Sequence, residues 1–254
     1  MSVEAGEPLP LGGPRLSIVV PAHNEEEYLH AAVTVILAGL RHRTDPFEVV
    51  IVENGSADAT AAVAAQLSAA ASEVRWLQLP VADYGRALRA GFLAARGEMI
   101  VNFDVDLVDL GFLDRAVALA GAGDAAIVVG SKRGPGSQDD RALGRRTVTG
   151  VFSLLLRHGF GLRVGDTHGL KLLRRAPVEP IVAACRSGAD IFDTELVLRA
   201  ERAGLRVEGI PVRIAEQRPP RTPVATRIPR TLLGLARLRR TLWSEDRSER
   251  RRHR

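Results

Sequence analysis

The chain has 254 residues, of which 46% are hydrophobic, 26% charged and only 4% aromatic. That composition can build one sizeable packed core, and it excludes a disordered tail, a collagen and a coiled coil. A single cysteine, Cys185, excludes a disulfide framework and a cysteine-rich metal site and fits a reducing compartment. The net charge of +5 is unevenly spread: residues 218–254 hold twelve arginines against three acids, whereas the remainder holds 27 acidic and 23 basic groups. A basic C-terminal tail is thus attached to a mildly acidic body. Residues 1–15 carry Glu4 and Glu7 and no apolar run, which is unlike a secretory signal. The longest charge-free stretch, 59–72, has 14 residues and is mostly alanine, too short for a bilayer span. The expected organisation is a disordered N-terminus (1–15), a single domain (16–217) and the tail (218–254), in a cytoplasmic protein.

In chain order, residues 16–21 predict a buried strand ended by Pro21. Residues 25–40 predict a helix, with Leu29, Val33, Ile36, Leu37 and Leu40 on one face and Glu25, Glu26 and Glu27 in its first turn. Strands at 47–52, 74–79, 99–103 and 125–130 then alternate with helices at 58–71, 85–95 and 109–121. The strands are apolar without internal alternation, so they predict an α/β fold: a Rossmann-like, open, mostly parallel sheet with helices on both faces. Beyond residue 141 a helix is expected over 145–160, a strand over 166–173, a helix over 193–203 and a closing strand over 205–212.

Three polar clusters follow strands, where open α/β sheets bind their ligands. They are Pro21-Ala-His-Asn-Glu25, Glu53-Asn-Gly-Ser-Ala-Asp58 and Asp104-Val-Asp106. Each alone is ordinary turn or cap chemistry; three at one sheet edge describe a site. Asp104 and Asp106 are the most informative, because a hard cation such as Mg²⁺ takes a few carboxylate oxygens and completes its octahedron with water and substrate phosphates.

The ordered set of segments resembles the family 2 glycosyltransferases of the GT-A fold, and more closely the polyprenyl-phosphate (dolichyl-phosphate) sugar synthases, from residue 16 to about residue 212. Its marks are Ser17-Ile-Val-Val-Pro-Ala-His-Asn-Glu25, Val52-Glu-Asn-Gly-Ser-Ala-Asp-Ala-Thr60, Tyr84-Gly-Arg-Ala-Leu-Arg-Ala-Gly91, Asp104-Val-Asp106, Gly130-Ser-Lys-Arg133, Asp166-Thr-His-Gly-Leu-Lys171, Asp193-Thr-Glu195 and Gly209-Ile-Pro-Val212. The resemblance implies inverting, metal-dependent transfer of a sugar from a nucleoside diphosphate (a UDP- or GDP-hexose). Pro21, Ala22 and Glu25 would line the nucleotide pocket, Glu53 would meet the base or ribose, and Arg86 a phosphate or the sugar. Asp104 would approach the sugar or ribose, while Asp106, helped by Asp104, would hold Mg²⁺ or Mn²⁺. Two departures stand out: Asn54 replaces the family's second aspartate, and Val108 stands where the lipid-phosphate subfamily often has a glutamine ligand.

The nucleophile decides what else is needed. A hydroxyl acceptor requires a carboxylate to take its proton, for which Asp193 or Glu195 is the candidate. A polyprenyl phosphate is already an anion and requires cations; Lys132, Arg133, Arg141, Arg145, Arg146 and Lys171 offer them, with Arg133 first because its guanidinium pairs bidentately with phosphate. Polyprenyl phosphate is the acceptor favoured here, with a family 2 enzyme acting on a glycan or small hydroxyl as the alternative. Nucleic-acid binding by the arginine tail is the weaker reading, since no aromatic cluster accompanies it. Residues 227–243 place Ile228, Leu232, Leu235, Leu238 and Leu242 on one stripe beside Leu233 and Trp243, which predicts a helix lying on an anionic membrane surface and a peripheral attachment.

Overall fold

The computed structural model describes residues 13–131, 138–139, 156, 159–164, 167–188, 191–214 and 224–252. In chain order these form β1 (Leu16–Ala22), α1 (Leu29–Leu40), β2 (Phe47–Asn54), α2 (Thr60–Ala70), β3 (Val74–Leu79), α3 (Tyr84–Ala94), β4 (Met99–Asn102), α4 (Leu110–Ala122), β5 (Ala125–Ser131), β6 (Gln138–Asp139), β7 (Lys171–Arg174), α5 (Arg175–Ala184), α6 (Phe192–Arg202), β8 (Arg206–Pro211), β9 (Arg213–Ile214) and α7 (Val224–Arg252). Seven strands make one sheet in the order β3-β2-β1-β4-β7-β5-β8, and β6 pairs with β9 apart from it.

The sheet is layered as its apolar strands require. Ile18, Val20, Val49, Ile51, Val101, Val128 and Leu172 pack on one face with the buried sides of α1, α2 and α4. Val19, Val50, Val52, Ile100, Ile127, Val129 and Leu173 pack on the other with α3, α5, α6 and α7. Period-two side chains that are apolar on both faces can be satisfied only by cover on both.

The sheet is mostly parallel, as expected, the exception being β7, which runs antiparallel to both its neighbours, β4 and β5. Three expectations are corrected. The β7 strand is only Lys171–Arg174, shorter than the 166–173 expected. Pro21 does not end β1 but lies within it opposite Val52, and the strand runs on to Ala22. Helix α1 starts at Leu29, with no acid in its first turn; Glu25, Glu26 and Glu27 precede it, because the chain first turns through Asn24 at φ 53°. The helix expected over 145–160 lies almost wholly outside the described residues.

What positions the site is the reversal of strand order beside β1. From β1 the chain winds outward through β2 and β3, then returns to lay β4 on β1's other side. The loops leaving β1, β2 and β4 therefore open into one crevice, the topological switch point of an open α/β sheet. Register sets their heights: Glu53 stands opposite Ala22, and Asn102 opposite Val19. The antiparallel β7 brings its first residue, Lys171, to the same edge, opposite Asn102.

Candidate active site

The first two loops are knitted into one another. Asn24 N–H donates to Ser56 Oγ (3.0 Å), and Ala57 N–H returns a bond to Asn24 Oδ1 (2.8 Å). Glu25 N–H donates to Thr60 Oγ1 (2.7 Å), and Ala59 N–H to Glu26 Oε2 (2.8 Å). His23 Nδ1 lies 2.9 Å from the Asn54 carbonyl, which can only accept, so Nδ1 carries the proton. Glu53 is buried and accepts Ser56 N–H at 2.6 Å, closing its own turn. Asn54, also buried, accepts Asp83 N–H through Oδ1 at 2.8 Å. Glu53 and Asn54 thus each spend one side-chain oxygen on fixing these loops. Of the residues expected to line it, Pro21 and Ala22 are buried in β1, Glu25 is half-buried, and Arg86 is exposed with its Nε 3.7 Å from Asp83 Oδ2.

The third loop is a tight turn, with Leu107 N–H bonded to the Asp104 carbonyl at 2.9 Å. It holds Asp104 half-buried and Asp106 exposed. Asp104 Oδ1 accepts the Tyr84 hydroxyl at 2.8 Å. Burial pushes the Asp104 carboxyl above its ordinary pKa, and the negative charges of Asp106 and Asp193 push the same way, against Tyr84 and Lys171. Tyr84 is pushed well above its ordinary value by desolvation and then by Asp104. Asp106 makes no hydrogen bond or ion pair among the described residues. This donor set suits a hard divalent cation: two hard oxygen donors one residue apart, one aimed by Tyr84, with like charge left uncompensated between them. No cluster of three or more metal-ligating side chains occurs among the described residues, so water and substrate phosphate would complete the shell.

The second half reads differently. Lys171, expected as a cation for the acceptor, is completely buried, donates to the Gly169 carbonyl at 2.8 Å, and lies 3.0 Å from Asp193 Oδ1. That contact is an ion pair by distance but falls short of hydrogen-bond geometry. Glu195 is likewise buried. Its Oε1 accepts Arg199 Nε at 2.7 Å, and its Oε2 accepts the N–H groups of Arg186 (3.0 Å) and Ser187 (2.7 Å). Burial pushes the Glu195 pKa up, but the bonds from Ser187 and Arg199 outweigh it, and the carboxyl sits below its ordinary value. Lys132, Arg133, Arg141, Arg145 and Arg146 lie outside the described residues.

Helix α7 is divided. Leu235, Leu238 and Leu242 are buried in the core under α6, so part of the expected membrane stripe packs on the body. Leu232, Leu233 and Trp243 stay exposed; at 100° per residue Leu232 and Trp243 share a line with Arg239, flanked by Arg240 and Arg247. Arg247 stacks over the Trp243 ring at 4.4 Å. No helix among the described residues is long and apolar enough to cross a membrane.

Sequence reasoning missed two things. Tyr84 lay inside a quoted motif, but no local signal tied it to Asp104. The Lys171–Asp193 pair joins residues too far apart in sequence for spacing to suggest it.

A switch-point crevice with paired aspartates in the third loop is the arrangement expected of a GT-A glycosyltransferase. Residues 17–182 match the family model "Glycosyl transferase family 2", and the chain belongs to that family. It is 30% identical over 237 residues to Glycosyltransferase AglD of Haloferax volcanii, covering 91% of this chain and 37% of that protein. It is 30% identical over 214 residues to the dolichyl-phosphate beta-glucosyltransferase ALG5A of Trichomonas vaginalis, covering 78% of this chain and 64% of that one. The chain thus spans a little over a third and just under two thirds of these relatives. In fold it resembles glucosyl-3-phosphoglycerate synthase from Mycobacterium tuberculosis, solved with Mn²⁺, UDP and glucosyl-3-phosphoglycerate, at TM-score 0.59 and 22% identity over 82% of this chain and 73% of that one.

Proposed function

We propose that this glycosyltransferase moves a hexose from a UDP- or GDP-sugar to polyprenyl phosphate, with inversion at the anomeric carbon. The observation that carries the reading is the state of the two candidate bases. Asp193 faces the buried Lys171 ammonium, and Glu195 is consumed by Arg199 and two backbone N–H groups. A carboxylate committed to a buried cation, or to a guanidinium and two backbone N–H groups, is a poor proton acceptor, so the acceptor must bring its own negative charge. A phosphate monoester does. Its oxygen attacks C1 from the side opposite the departing diphosphate; the C1–O bond to the diphosphate breaks as the new one forms, and no proton has to leave the nucleophile. The relative named as a dolichyl-phosphate glucosyltransferase supports this choice.

Pro21, Ala22, Glu25, Glu53 and Arg86 would serve the nucleotide, and Arg133 the acceptor phosphate. Asp104 and Asp106 would hold a divalent cation, which when bound neutralises charge on the leaving diphosphate. Tyr84 fixes the Asp104 carboxylate for that task. The outer face of α7, with Leu232, Trp243 and its arginines, would rest on an anionic membrane surface where the acceptor lies.

Calorimetry with UDP, GDP and dTDP, each with and without Mn²⁺, tests the donor half. Base-selective binding that requires metal is expected; absence of heat with every nucleotide refutes it.

A further inference from the structure

Glu245, near the end of α7, is bound not to the solvent but to the scaffold of the site. Both its oxygens accept from Arg199, at 2.8 and 3.1 Å, and the same guanidinium donates through Nε to Glu195 at 2.7 Å. Arg199 is nearly buried between the two carboxylates, and their hydrogen bonds and charges raise its pKa far above the ordinary value against the opposing effect of burial. Glu195 in turn holds the Arg186 and Ser187 amides. Gly188, one residue on, lies flat against the Asp83 side chain: a Cβ there would stand 2.2 Å from Asp83 Oδ2. Asp83 caps α3 by accepting Arg86 N–H at 2.9 Å, and its own N–H is the donor that holds Asn54. The next residue is Tyr84, which aims Asp104. A second contact runs in parallel, since a Cβ on Gly234 of α7 would meet Ile191 Cγ1 at 2.5 Å.

We propose that Glu245 is a positioning residue: by orienting Arg199 it sets the 186–188 backbone, and through Asp83 it sets Tyr84 and Asn54 at the two sides of the donor crevice. The C-terminal helix is then a part of the catalytic scaffold as well as a surface arm. Each link is a charge-assisted or backbone hydrogen bond except the one between Gly188 and Asp83, which is direct packing of the glycine on the aspartate side chain, so a displaced guanidinium is passed on along the chain. The consequence for turnover rests on the donor-site reading above; the structural coupling does not.

The test separates the two. In Glu245→Gln the charge on one side of Arg199 is removed. Hydrogen exchange of the full chain should quicken about tenfold at the amides of Arg186, Ser187 and Arg86, the size of a typical coupling along such a network, while the β1, β2 and β4 amides stay slow. The kcat of sugar transfer should drop by a similar factor with the KM for the nucleotide sugar little changed, and Glu245→Asp should recover much of both. Faster exchange confined to α7, with residues 83–88 and 185–188 unchanged, overturns the proposal, as does Glu245→Asp behaving no better than Glu245→Gln. Should Glu245→Gln fail to fold, Glu245→Asp against the native chain gives the same two readouts at smaller amplitude. Altered exchange in a protein whose Asp106→Asn variant transfers sugar at full rate would leave the coupling standing and remove the donor-site reading instead.

Discussion

Two pairs of acids, Asp104 with Asp106 and Asp193 with Glu195, each one residue apart, stand at the same edge of the sheet in opposite electrostatic circumstances. The turn after β4 makes no ion pair among the described residues, and Asp104 is held above its ordinary pKa by burial and by the charges of Asp106 and Asp193, which outweigh Tyr84 and the Lys171 ammonium. The first turn of α6 has every charge answered, Asp193 by Lys171 and Glu195 by Arg199. The same carboxylate chemistry thus stands in two different environments. On the proposed reading the unanswered pair would seat a cation that arrives with the substrate, and the answered pair would be structural, its charges already taken up by Lys171 and Arg199.

Breaking the answered pair should give the largest effect on stability. Lys171→Met leaves the buried Asp193 without its cation, which costs about 3–5 kcal/mol, and Lys171→Met with Asp193→Leu should recover most of it; denaturant unfolding of both variants checks this. Breaking the unanswered pair should do the reverse. Asp106→Asn should cost about 100-fold in transfer, comparable to losing one strong electrostatic stabiliser, with thermal unfolding unchanged or slightly raised because a like charge has gone. If Asp106→Asn instead unfolds early and still turns over at full rate, the two pairs have been assigned the wrong way round.

The docked and exposed sides of α7 make a similar contrast. Leu238→Ala should cost about 2–5 kcal/mol as a buried truncation. Trp243→Ala should leave unfolding within about 0.5 kcal/mol yet weaken sedimentation with anionic vesicles. The smallest effect concerns pH. Glu48, bonded to Ser17, Arg75 and the Arg96 amide, and Glu195 both sit below their ordinary pKa, their hydrogen bonds outweighing the upward push of burial. A depressed folded-state pKa contributes stability that is present above the unfolded value, about 4.3, and is lost as pH falls through the folded one. Acid unfolding of the native chain should therefore steepen below about pH 4, and Glu48→Gln, less stable at neutral pH, should show a shallower acid slope.

The sequence carried the first half of the fold well, because strands buried on both faces are apolar without alternation and their following loops are polar. Direction was not written there: Lys171-Leu-Leu-Arg174 has the same composition whether it runs with its neighbours or against them, and only its crossover decides. The start of α1 was hidden for a related reason. Glu25 and Glu26 look like first-turn acids, but their amides are spent on Thr60 and Asp58 of the neighbouring loop. In the site, Asp104, Asp106 and Glu53 were legible from position after a strand. Lys171 is expected as a cation for the acceptor phosphate, because nothing in its local sequence foretells burial against a residue on a later helix. The stripe on α7 was seen, but an amphipathic pattern does not say which side of its apolar arc meets protein and which stays open.

The most direct test offers the enzyme two acceptors of equal chain length, a polyprenyl phosphate and the corresponding polyprenol, with the same nucleotide sugar and Mn²⁺ in anionic detergent–lipid micelles. Transfer to the phosphate with no product from the alcohol is the result expected of a site whose second-half carboxylates are both paired. Glycosylation of the alcohol at a comparable rate, abolished by Asp193→Asn in protein that remains folded, would contradict the account and make Asp193 a base.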